Sequence, residues 1–112
     1  MNKYFKIQKD FQKKLYDIDN LSEDDKIKYT KEFILCIHRE LGEVLNVIPW
    51  KLHRKNNKVY STDELKEELI DTTKFLLNLF LIWGVDDKEF DELFEKKSKI
   101  VEERYKNEIE NI

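Results

Sequence analysis

Two acidic pairs hold the chemistry this chain offers: Glu40-Leu41-Gly42-Glu43 and Glu68-Leu69-Ile70-Asp71. In each, the acids stand three residues apart within a segment whose apolar residues recur at helical spacing. Residues i and i+3 share a helix face, so each pair presents two carboxylates together. Two such helices side by side would gather four carboxylates, whose repulsion and desolvation require a positive partner. Hard divalent cations bound through oxygen meet that requirement. An oxygen-only ligand set favours Mg²⁺, with Mn²⁺ as the alternative, over zinc. Such ions also bind substrate phosphates, so the pairs point to phosphate-ester or phosphoanhydride chemistry.

A plainer reading is that these are solvated helix faces. The chain has 24 Asp and Glu, and Glu64–Glu67 is a further pair at the same spacing. Against this, Glu40 borders the apolar arc of its helix, and Glu68 and Asp71 lie on a helix with little polar face. The 24 residues between the pairs suffice to turn the chain back antiparallel. Helical bundles build metal sites from inward carboxylates on facing helices. A di-iron site would need a Glu three residues before a His, and neither His38 nor His53 has one. Cys36, the single cysteine, excludes an internal disulfide and a Cys-rich zinc site, and reads as a buried thiol. No Gly-rich phosphate loop occurs.

Four helices are expected to position these groups. The first spans about 3–17, with Phe5, Phe11, Leu15 and Ile18 as a loose apolar stripe, followed by a turn at Asp19-Asn20-Leu21. Ser22 and Asp25 open the second, about 23–48, where Phe33, Ile34, Ile37, Leu41, Val44, Leu45 and Ile48 form one arc and Pro49 ends it. Residues 50–60, with Lys51, Arg54, Lys55 and Lys58, read as a polar, basic loop. Ser61 and Glu64 resemble a capping box for the third helix, which Gly84 stops after Trp83. Asp86 or Asp87 caps the fourth, which carries Phe90, Leu93, Phe94 and Ile100 and frays after Tyr105. On the third helix the polar exceptions Glu67, Asp71, Lys74 and Asn78 form one stripe among apolar residues on nearly every other side. Such a helix must be central, and four helices from one chain do not surround it. The fold expected is an all-α four-helix bundle, one domain over 1–112, completed by a homodimer or higher symmetric oligomer.

Composition agrees. Hydrophobic residues make up 40%, enough for one modest core, and two Gly and one Pro disfavour a turn-rich β fold. The 40% of charged residues mixes both signs to a net −3, which argues against nucleic-acid binding through a basic surplus. The charged N-terminus lacks the apolar region of a signal peptide, and no apolar stretch is long enough for a membrane span. A cytoplasmic protein without membrane contact is expected.

The segment from Cys36 to Asn46 followed by Trp50-Lys51, the run from Glu68 to Leu79 followed by Gly84, Phe11-Gln12-Lys13-Lys14-Leu15, and the spacing of Phe94, Lys97, Lys99 and Arg104 together resemble the all-α nucleoside triphosphate pyrophosphohydrolases. That superfamily includes the dimeric dUTPases, the phage dCTP/dUTP pyrophosphatases and the MazG proteins. The resemblance touches most of the chain in order. It implies that Glu40, Glu43, Glu68 and Asp71 hold Mg²⁺, and that Glu40, with Glu43 beside it, serves catalysis by orienting or deprotonating water. Water would attack the α-phosphorus of a (deoxy)nucleoside triphosphate and release a monophosphate and pyrophosphate. It further implies that Lys97, Arg104 and Lys51 steady phosphates, and that Gln12, Trp50 and Asn78 line the base or sugar pocket. The sequence departs from the dUTPase pattern at Lys74, where the pattern has His, at Val101, where it has Asn, and near Tyr16, where it has another Asn. A catalytically silent nucleotide-binding bundle of the same fold is the alternative.

Overall fold

In the computed structural model, residues 2–51 and 59–110 are described, and four α-helices account for most of them. They are α1 (Asn2–Lys13), α2 (Glu23–Val47), α3 (Thr62–Ile82) and α4 (Asp87–Glu110), with a 3₁₀ turn at Ile18–Asn20 before α2. Of the expected 50–60 loop, residues 52–58, including His53, Arg54, Lys55 and Lys58, lie outside the described residues.

Local chemistry sets the boundaries. Ser22 caps α2 in both directions: its Oγ accepts from the Asp25 N–H at 3.1 Å, and its own N–H donates to Asp25 Oδ2 at 3.4 Å. The Ser61 hydroxyl accepts from the Glu64 N–H at 3.3 Å to start α3, and Asp86 Oδ1 accepts from the Glu89 N–H at 2.8 Å to start α4. Gly84 ends α3 at φ 75°. Its N–H donates to Leu81 O, and the Val85 N–H donates to Phe80 O at 2.9 Å, a Schellman closure that needs the left-handed residue at Gly84.

Two boundaries differ from the sequence reading. α1 stops at Lys13 rather than near residue 17, because the chain tightens there: the Lys14 N–H donates to Phe11 O and the Leu15 N–H to Gln12 O. This turn drops Ile18 into the core, while Lys9 and Lys13 reach Asp19 at 3.2 and 3.7 Å. α4 remains helical to Glu110 instead of fraying after Tyr105.

The buried stripe of α1 is Phe5, Gln8 and Gln12, whereas Phe11 and Leu15 stay more than half exposed. Phe5 and Ile18 pack with Leu77 and Leu81 of α3. α3 lies between α1 and α2, in keeping with its apolar circumference. α2 and α3 run antiparallel. Trp83 Nε1 donates to Thr30 Oγ1 at 2.9 Å, Phe33 meets Phe75 at 6.2 Å between ring centroids, and Glu40 faces Glu68. The partner numbers fall on one helix as they rise on the other.

α4 stands apart. It docks through Phe90, whose ring meets Phe5 at 5.5 Å and Phe80 edge-on at 5.1 Å, and none of its residues is buried. The radius of gyration is 18.2 Å, against about 13 Å for a compact domain of this length. Leu69, Ile70 and Leu76 of α3 and Leu41 and Leu45 of α2 are exposed in the single chain, as are Leu93, Phe94, Val101 and Tyr105 of α4.

Candidate functional site

The antiparallel pairing of α2 with α3 brings the two acidic motifs together. Glu40, Glu68 and Asp71 each offer a carboxylate oxygen, and the three oxygens lie within 4.8 Å of one another. Glu40 is almost buried at 9% exposure, Glu68 is half-buried and Asp71 is exposed. Glu43, one turn along from Glu40, is exposed beside them. Burial, then the neighbouring Asp71 and Glu40 carboxylates and more weakly Glu43, hold Glu68 above the ordinary glutamate range. Among the described residues, Arg39 Nη2 comes to 3.8 Å of Glu40 Oε1 from an exposed position, a weak compensation. Clustered hard oxygen donors of this kind suit a divalent ion such as Mg²⁺.

A cavity of about 590 Å³ opens from this cluster, with Glu40 and Asp71 in its wall. That volume is within the usual range for small-molecule sites. One side is an aromatic ladder. Tyr16 stacks on Tyr29 at 4.5 Å and Tyr29 on Phe33 at 6.1 Å, and Phe33 leads to Phe75 of α3. The other side is amide-rich, with Gln8, Gln12 and Asn78 all nearly buried. Gln8 Nε2 donates to Asn78 Oδ1 at 2.7 Å, and the Tyr16 hydroxyl donates to Gln12 Oε1 at 2.7 Å. Lys74, one turn beyond Asp71, also lines the cavity. Aromatic faces, amide edges and a carboxylate cluster at one end can receive a planar heterocycle and its phosphates.

The structure thus brings Gln12 and Asn78 to the same cavity as Glu40 and Asp71, with Glu68 in the adjoining cluster. Trp50 and Lys51 follow α2 outside the cavity lining, and the Lys51 ammonium lies 5.7 Å from the Trp50 ring. Lys97 lines a separate hollow on α4 with Phe94, Val101 and Tyr105, and Arg104 is exposed on the same helix. Within one chain these cations do not line the cavity. Cys36 is a half-buried free thiol.

Sequence reasoning missed Gln8 and gave Tyr16 and Tyr29 no role. Gln8 was findable: with Phe5 and Gln12 it makes an i, i+3, i+7 series on one face of α1. Tyr16 and Tyr29 carry no such signal, because their contact depends on how the turn after α1 folds back onto α2.

Among the described residues no helix is long and apolar enough to cross a membrane. No curated protein and no solved structure matches the chain. The family model described as dUTPase matches residues 1–112, in keeping with the paired acidic helices and the cavity beside them, and the chain belongs to the dUTPase family.

Proposed function

We propose that this chain is a Mg²⁺-dependent (deoxy)nucleoside triphosphate pyrophosphohydrolase of dUTPase or dCTPase type. The observation that carries this reading is the convergence of Glu40, Glu68 and Asp71 within 4.8 Å at the edge of a nucleotide-sized cavity. Those three, with Glu43 beside them, would hold Mg²⁺ or Mn²⁺, which when bound supplies Lewis acidity to the phosphates. Glu40, poorly solvated and at the junction of cluster and cavity, takes the proton of the attacking water. That water's oxygen bonds the α-phosphorus as the α–β bridging P–O bond breaks, giving a nucleoside monophosphate and pyrophosphate. The aromatic ladder and the amides orient the base, and Lys74 offers a cation to the phosphates. Incubation with each dNTP and Mg²⁺ tests this directly: equimolar monophosphate and pyrophosphate are expected, and their absence for every nucleotide would refute it.

The functional unit in this reading is a homodimer. An arm without a buried residue and an expanded radius of gyration suit a helix that covers the exposed apolar residues of a second copy. Lys97 and Arg104, remote from the cavity of their own chain, would then serve the partner's. Sedimentation equilibrium of the parent protein and of Val101→Glu, on the apolar strip of α4, tests the association. A monomeric parent would remove it.

A further inference from the structure

A second hollow, of about 530 Å³, lies along the seam of α1 and α3, where Tyr4 and Ile7 of α1 face Ile70 and Leu77 of α3. Its volume is also within the usual range for small-molecule sites. Gln8 and Lys74 line both this groove and the cavity, so the two hollows adjoin and share those side chains. Gln8 is buried and tied to Asn78, whereas Lys74 is exposed. The partition is therefore a fixed amide at the base and a long, flexible ammonium above it. Thr73, on the groove side, spends its hydroxyl on Leu69 O at 2.9 Å. Tyr4, Ile7 and Ile70 stay 50, 59 and 57% exposed, apolar surface that gains by being covered. Ile70 is the residue before Asp71, and Lys74 stands one turn after it. The groove thus begins where the acidic cluster ends.

We infer that the chain takes a second class of substrate at this site: nucleoside diphosphates whose β-phosphate is esterified by an apolar alcohol. The nucleoside fills the cavity and its α-phosphate meets the acidic cluster. The esterified β-phosphate keeps one negative charge, which the single ammonium of Lys74 matches at the partition. The apolar group then lies in the groove against Ile7 and Ile70, a neighbour that a free triphosphate leaves unused. The bond change is unaltered. Water's oxygen bonds the α-phosphorus and gives its proton to Glu40. The α–β bridging P–O bond breaks, and its electron pair leaves on the phosphate monoester of the alcohol, with a nucleoside monophosphate as the other product. The inference rests on the nucleotide reading of the cavity and extends it beyond triphosphates.

The test uses methyl, butyl and hexyl esters of α,β-methylene nucleoside diphosphates, made with uracil and with cytosine, whose P–C–P bridge cannot be cleaved. Calorimetry with Mg²⁺ gives the dissociation constant of each. Affinity should rise by about fourfold per methylene until the groove is full, the worth of burying one such group. Ile7→Gln and Ile70→Gln place a polar end on exposed positions of the groove and should flatten that rise. The slope is the readout, so variants that weaken every ester alike and keep the slope count against the inference. The hexyl ester with its natural P–O–P bridge, incubated with Mg²⁺ in isotopically labelled water, should yield hexyl phosphate and a monophosphate carrying the label. Equal affinities along the parent's series overturn the inference, as does the absence of binding. A second copy of the chain seated in the groove would give equal affinities too, together with a change of oligomeric state in Ile70→Gln. Hydrolysis of dNTPs with a flat series sinks this inference alone, whereas a rising series without hydrolysis of any nucleotide sinks the proposed function and leaves the groove assigned.

Discussion

Gln8 Nε2 donates to Asn78 Oδ1 at 2.7 Å across seventy residues of sequence, a buried hydrogen bond that ties α1 to α3 at the inner wall of the cavity. Removing one partner strands the other. Asn78→Ala should therefore lower unfolding stability by about 1–3 kcal/mol, the cost of an unsatisfied buried amide. The double replacement Gln8→Leu/Asn78→Leu should recover most of the loss. Urea unfolding of Gln8→Leu, Asn78→Leu and the double mutant closes the cycle, and simple additivity would show that the pair is not coupled.

Glu68 gives the fold a pH dependence of definite sign. Its carboxyl is held above the ordinary range, so the folded state binds that proton more tightly than the unfolded chain does. The contribution is fully present below the unfolded value of about 4.3 and is lost as pH rises through the raised folded value. Above that raised value the metal-free protein carries the repulsion unrelieved. Glu68→Gln should raise the metal-free melting temperature at neutral pH and weaken its pH dependence, while Mg²⁺ should raise that of the parent alone. Melting curves with and without Mg²⁺ at acidic and neutral pH decide it; a lower neutral melting temperature for Glu68→Gln would contradict the assignment.

Glu40→Gln keeps the shape of the side chain and removes its basicity. A loss of about 10²–10⁴-fold in turnover is expected, the usual worth of a positioned base. Helical content by circular dichroism should stay unchanged. Turnover within a few-fold of the parent would move the base elsewhere in the cluster.

Gly84→Ala isolates backbone conformation from packing, because a Cβ there meets no atom within 4 Å. The remaining cost is the left-handed φ of 75°, about 1–2 kcal/mol for a residue with a side chain. Chemical denaturation should show that loss with no change in oligomeric state.

The helices and their caps were legible because Ser22, Asp86 and Gly84 act within one turn of their own positions. The acidic cluster was legible because i, i+3 spacing survives any packing, and the opposed directions of α2 and α3 then match the two pairs. What the chain order hid was longer in range. The amide wall combines Gln8 of α1 with Asn78 of α3, and the aromatic ladder depends on a turn that ended α1 early and swung Tyr16 onto Tyr29. Phe11 and Leu15 had the spacing of core residues yet line an open cavity, because apolar periodicity does not distinguish a packed neighbour from a cavity wall.

Only Gly84 and Val85 separate the last cap of α3 from the Asp86 cap of α4, and backbone bonds fasten both sides of that junction. The long final helix therefore leaves the body along a direction fixed before any encounter. A companion molecule would meet a ready-made lever instead of a segment still to be ordered, so little conformational freedom remains to be surrendered on docking.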